Sequence, residues 1–104
     1  MNPDPHVDPN APSPNAERRI VHYSGRVQGV GFRYCARQTA EGFSVTGSVR
    51  NLPDGRVQLV VEGNDSQVEA FLAELAARMA PNIRHVDAQR ETPTGEFTAF
   101  EIRF

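Results

Sequence analysis

Twice along this chain the apolar spacing changes from every second residue to every third or fourth and back, which restricts the fold more than any other feature. Ile20-Val21-His22-Tyr23 is rich in residues that suit a pleated surface, and Gly25 ends it, so the first element is a strand. Phe32, Cys35, Ala36, Thr39 and Ala40 then fall at offsets of three and four, one face of a helix that Gly42 can stop in the left-handed conformation. Val45, Gly47, Val49 and Asn51 share one face of a second strand, and Val57, Leu59 and Val61 occupy the matching face of a third. Between them, Leu52-Pro53-Asp54-Gly55 puts proline second and glycine last, as a type I turn with a glycine bulge prefers. Asn64 and Gln67 have capping-box spacing, and Val68, Phe71, Leu72, Leu75 and Met79 form one apolar stripe on a second helix that Pro81 follows. Ile83 to Glu91 and Phe97 to Phe104 read as two extended segments, the last with Thr98, Phe100, Ile102 and Phe104 on one face.

The order strand, helix, strand, strand, helix, strand, strand predicts an α+β fold: a ferredoxin-like split βαβ sandwich with an extra C-terminal strand. Its expected form is a five-stranded, mostly antiparallel sheet with both helices on one face. The domain is read as residues 18–104. Residues 1–17 hold five of the eight prolines and only Met1, Val7, Ala11 and Ala16 as apolar side chains, a composition that predicts a disordered tail.

Charge narrows the range of partners. The chain has 13 acids and 11 basic residues, all of the latter arginine. Three of the acids lie in the tail, so the remainder is close to neutral, which argues against a nucleic acid or an acidic membrane surface as partner. Any anion must be bound locally. A single cysteine, Cys35, excludes an intramolecular disulfide and a cysteine-based zinc site, and His6, His22 and His85 have no metal-ligand spacing. No metal and no cofactor are expected. With neither a signal-like N-terminus nor a membrane-length apolar run, a cytoplasmic monomer is the expectation, and the end of the chain within its last extended segment reads against a fragment.

The segment most able to hold an anion is Gly25-Arg26-Val27-Gln28-Gly29-Val30-Gly31-Phe32-Arg33, between the first strand and the first helix. Closely spaced glycines let successive N–H groups curl into one concavity, and the helix start adds its own unpaired donors. Arg33, in the first helical turn, can reach the same anion from the side. The same glycines are also compatible with a tight connection in which they only relieve crowding. Gly29-x-Gly31 lacks the third glycine of a dinucleotide fingerprint, and a chain without lysine cannot form a Walker loop. Asn51 is the second candidate, a polar residue at the mouth of an apolar sheet face. It reads equally well as a turn asparagine bonded to its own backbone.

The segment 25–33 is similar to the signature of the acylphosphatases, and Gly47-Ser48-Val49-Arg50-Asn51, followed by Gly55, Val57 and Gly63, resembles that family's second signature. The likeness runs from about Arg19 to Phe104, outside the tail. Ser48 stands where the family commonly has an aromatic residue, and Tyr23 where it usually has a branched aliphatic one. The resemblance implies metal-independent hydrolysis of the carboxyl-phosphate bond of acyl phosphates, giving a carboxylate and inorganic phosphate. It implies that the backbone of Gln28, Gly29, Val30, Gly31 and Phe32 cradles the phosphoryl oxygens, that Arg33 binds two of them, and that Asn51 orients the attacking water. Inorganic phosphate is then both product and competitive inhibitor. A carboxylate leaves without a proton at neutral pH, so no general acid is required, and neither signature contains one. Cys35 reads as packing, because it lacks the Cys-x5-Arg loop of a phosphocysteine enzyme, and His22 reads as structural.

Two other readings are distinguishable. An RNA-binding module would place a glycine-aromatic motif on its third strand, whereas Gly29-Val30-Gly31-Phe32-Arg33-Tyr34 precedes a helix. A domain of the same fold that binds an anion without turning it over would fail to hydrolyse acetyl phosphate.

Overall fold

The structure, a computed structural model, describes residues 15–104. The elements run β1 (Ala16–Gly25), α1 (Phe32–Ala40), β2 (Val45–Asn51), β3 (Val57–Asn64), α2 (Asp65–Met79), β4 (Ile83–Glu91) and β5 (Phe100–Arg103). They form one five-stranded sheet in the order β4-β1-β3-β2-β5. β1 pairs antiparallel with β3 and β4, β2 pairs antiparallel with β3, and only β5 is parallel to its neighbour, β2. This is the expected split βαβ sandwich.

Strand parity selects the side that the helices cover. Val21 and Tyr23 of β1, Val49 of β2, and Val57, Leu59 and Val61 of β3 join Phe32 and Ala36 of α1 and Val68, Phe71 and Leu75 of α2 in one core. The α2 stripe is the one read from its spacing. Asn64 Oδ1 accepts the Ser66 N–H at 3.1 Å, which satisfies one free donor of the helix start. Gln67 does not turn back to complete a capping box. Its side-chain oxygen accepts the Ser44 N–H at 2.9 Å and ties α2 to the approach to β2.

Three boundaries differ from the sequence reading. β1 begins at Ala16, inside the segment read as tail, and Glu17 is buried there, its carboxylate meeting Arg19 and Arg90. Cross-strand pairing with β3 recruits residues that propensity leaves undecided. Most of the segment read as a disordered tail, residues 1–14, lies outside the described residues. Gly42 does not take the left-handed conformation. α1 closes with a tightened turn, the Gly42 N–H donating to Thr39 O and the Phe43 N–H to Ala40 O, both at 3.1 Å. β5 starts at Phe100, not Phe97, because β4 and β5 lie at opposite edges and the chain between them must first cross the sheet.

That crossing runs over the face without helices, and a buried ion cluster seats it. Glu62 of β3 is 6% exposed and accepts from the Arg18 guanidinium, the Thr94 N–H and hydroxyl, and the Gly95 N–H. Arg18 also reaches Glu96, and the Arg18 and Arg103 guanidiniums both lie against the Phe97 ring. Ser48, one of the two departures from the family pattern, is buried beside Val60 on this face. The other, Tyr23, is in the helix-side core, its ring 4.8 Å from that of Phe32.

Candidate active site

The chain leaving β1 is anchored twice before it enters α1. The Arg26 N–H donates to Asn82 O at 2.9 Å, and the Val27 side chain is buried in the core. Phe32, the first residue of α1, is buried against Tyr23. Between these anchors Gly29 has φ 74° and Gly31 has φ 80°, so both occupy the left-handed region that other residues adopt only at a cost. A side chain built at either would meet nothing within 4 Å. Crowding therefore does not account for these glycines. The curl of the backbone does.

The curl leaves donors free. Among the described residues, the N–H groups of Gln28, Gly29, Val30, Gly31 and Phe32 meet no acceptor, and the first bond of the helix runs from the Cys35 N–H to Gly31 O at 2.9 Å. Gly31 caps α1 without a side chain that could occupy these donors, and no acidic residue lies in the first turn. A concave run of unpaired N–H groups at the positive end of a helix is a general anion-binding arrangement.

Arg33 is the second residue of α1 and belongs to no ion pair among the described residues. Its guanidinium lies 4.8 Å from the centre of the Phe104 ring, and its Nη1 donates to Arg103 O at 3.3 Å. These contacts hold the side chain without neutralising it. Asn51 closes β2 opposite Val57, and its carboxamide has no hydrogen-bond partner among the described residues. The turn-asparagine alternative needs such a partner.

Gly29, Gly31, Phe32, Arg33 and Asn51 line one cavity of about 120 Å³, with Val27 and Tyr34 completing the wall. The volume is far below the roughly 300 Å³ at which drug-sized ligand pockets begin, so it has room for no more than a small group. Two of the residues expected at the site do not line it. Val30 points outward and is 43% exposed, and the Gln28 side chain turns away to the β2–β3 hairpin. Neither side chain contributes to the cavity.

Val27, Tyr34 and Phe104 are additions to the sequence reading. Tyr34 was legible as a residue off the apolar face of α1 and next to Arg33, and it is 62% exposed with Arg37 against its ring. Phe104 was not legible as a neighbour of Arg33, because its place depends on the parallel pairing of β5 with β2. Cys35 does not line the cavity; Thr39 Oγ1 donates to Cys35 O at 2.6 Å and lies beside the thiol. His22 contacts Gln58 on the helix-free face. Among the described residues no cluster of histidine, cysteine and acidic side chains could hold a metal ion, and no helix is long and apolar enough to cross a membrane.

The fold and sequence have well-populated company. The acylphosphatase of Syntrophotalea carbinolica is 47% identical over 85 residues, covering 81% of this chain and 92% of that one. A solved acylphosphatase from Coxiella burnetii superposes with a TM-score of 0.73 at 29% identity, covering 86% of this chain and 94% of that one. HypF from T.kodakarensis gives a TM-score of 0.74 at 30% identity over 85% of this chain, a match that takes up only 12% of that longer chain. The acylphosphatase family model spans residues 19–102, from the third residue after the start of β1 nearly to the end of β5, and by that match and these relatives the chain belongs to the acylphosphatase family.

Proposed function

We propose that the chain hydrolyses acyl phosphates by direct attack of water on phosphorus, without a metal. The observation that carries this reading is the shared cavity: two left-handed glycines, Arg33, which is in no ion pair among the described residues, and Asn51, whose carboxamide has no partner among them, line one small space. The free N–H groups of residues 28–32 take the phosphoryl oxygens, and Arg33 binds two of them through its fork of donors. The Asn51 amide holds a water on the side opposite the leaving oxygen. The water oxygen forms a bond to phosphorus, the bond from phosphorus to the acyl oxygen breaks, and the carboxylate leaves with the electron pair. The water proton passes to a phosphoryl oxygen. No side chain has to donate or accept it, so the catalytic contribution is positioning and charge stabilisation.

The test is hydrolysis of benzoyl phosphate and acetyl phosphate by the wild type, Arg33→Ala and Asn51→Ala. Loss of one preorganised donor costs about 10²- to 10³-fold in kcat. Arg33→Ala is expected to lower kcat on that scale and to weaken competitive inhibition by inorganic phosphate. Asn51→Ala is expected to lower kcat with little change in phosphate affinity, because it acts on the water. A wild-type kcat in Asn51→Ala removes the water-positioning role. Absence of turnover by the wild type would leave an anion-binding module.

A further inference from the structure

The nest and Asn51 come from different parts of the chain, and reaction requires them to keep a fixed separation. The nest follows β1 and leads into α1, while Asn51 ends β2, on the far side of β3 in the sheet. One side chain joins the two directly. Gln28, adjacent to Gly29, donates through Nε2 to Leu52 O at 2.8 Å and to Arg56 O at 2.9 Å. Leu52 immediately follows Asn51.

These two carbonyls define the hairpin turn. The Leu52 N–H donates to Arg56 O at 2.8 Å and the Gly55 N–H to Leu52 O at 3.1 Å, so each oxygen accepts one bond from inside the turn and a second from Gln28. The chemistry also sets which end of the carboxamide faces the hairpin, since only its NH2 has two hydrogens to give to two acceptors. Neither glutamate nor an apolar residue of equal length could make this pair of bonds.

We infer that Gln28 is a positioning residue that locks the phosphate cradle to the β2–β3 hairpin and so aims Asn51 at the bound phosphoryl group. This rests on the water-positioning role of Asn51 proposed above. The cradle has its own supports, in Arg26, Val27 and Phe32, and the hairpin has those of the β2–β3 ladder. Losing Gln28 therefore leaves each half built and loosens their relative placement. A misplacement of about 1 Å can cost 10²-fold in rate.

The experiment is a double-mutant cycle on benzoyl phosphate, with Gln28→Met in the wild-type and Asn51→Ala backgrounds, and inorganic phosphate inhibition measured in each. Gln28→Met alone is expected to lower kcat by about 10- to 100-fold while the phosphate inhibition constant moves by less than about threefold. In the Asn51→Ala background the same change is expected to lower kcat by less than about threefold, because the group it positions is already gone. A merely structural role would give equal losses in both backgrounds, and that result overturns the assignment. So does an unchanged kcat in Gln28→Met, or a loss matched by weaker phosphate binding. Should Gln28→Met fail to fold by thermal melting, Gln28→Glu, of equal length and without the NH2 donors, must show the same kcat-selective loss. A wild-type kcat in Asn51→Ala alone overturns the underlying water-positioning reading, and it is seen without altering Gln28.

Discussion

The Arg33 guanidinium rests on the face of Phe104, 4.8 Å from the ring centre, while its Nη1 donates to the neighbouring Arg103 carbonyl. An aromatic face attracts a cation without consuming its hydrogen-bond donors, so the remaining N–H groups of Arg33 stay free for a ligand. The support comes from the last residue of the chain, which is 96% exposed and contributes nothing to the core.

Phe104→Ala is accordingly expected to act on binding more than on stability. An exposed cation–aromatic contact contributes about 0.5–1 kcal/mol, equivalent to about two- to fivefold in affinity. The phosphate inhibition constant should rise by that factor with the melting temperature unchanged. An unaltered inhibition constant would show that Arg103 O alone holds the guanidinium.

Gly31→Ala separates conformation from packing. No atom lies within 4 Å of the added methyl, so no clash is introduced, but a left-handed φ of 80° costs an alanine about 1–2 kcal/mol. The expected result is a lower melting temperature together with weaker phosphate inhibition, as the backbone relaxes and the cradle opens. If inhibition is unchanged in a destabilised variant, the curl at Gly31 serves folding alone.

Glu62 gives a pH-dependent prediction. Burial raises its pKa, but the Thr94 N–H, Arg18, the Gly95 N–H and the Thr94 hydroxyl together outweigh that and hold the carboxyl below its ordinary value of 4.5. A depressed carboxyl contributes stability above its unfolded pKa, and that contribution is lost as pH falls through the folded value. Glu62→Gln should therefore be less stable than wild type at pH 7 by about 1–3 kcal/mol. The gap should close on acidification below the ordinary carboxylate range. Denaturant titrations at several pH values check this, and a gap that stays constant would remove the electrostatic explanation.

Metal removal should be without effect. The cavity lining contains no carboxylate, histidine or thiol to anchor a divalent cation, and it carries the positive charge of Arg33. Prolonged dialysis against a chelator is expected to leave benzoyl phosphate hydrolysis at its starting rate, and a loss restored by magnesium would revise the mechanism.

Element types and most boundaries were legible because they depend on neighbours a few residues apart. The alternation around Val21, the stripe from Val68 to Met79 and the Leu52-Pro53-Asp54-Gly55 turn are all local signals, and Gly55 has the positive φ that its turn requires. The end of α1 differed through a local choice of turn at Gly42, whereas the two strand boundaries differed where distant partners decide. Ala16 and Glu17 are strand because β3 lies beside them, and Phe97 is not strand because the chain there is crossing a face.

Local chemistry in the sequence determined which residues could meet an anion: glycines able to curl, an arginine at a helix start, and an asparagine closing a strand. Only the tertiary structure decided how they are held. Gln28 reaches carbonyls 24 and 28 residues away, and Arg33 reaches one 70 residues away. Those contacts depend on β3 lying between β1 and β2 and on β5 pairing parallel to β2. Periodicity reports which side of an element is apolar. It carries no information about which polar groups, far apart in the chain, come within hydrogen-bond distance when those apolar sides pack.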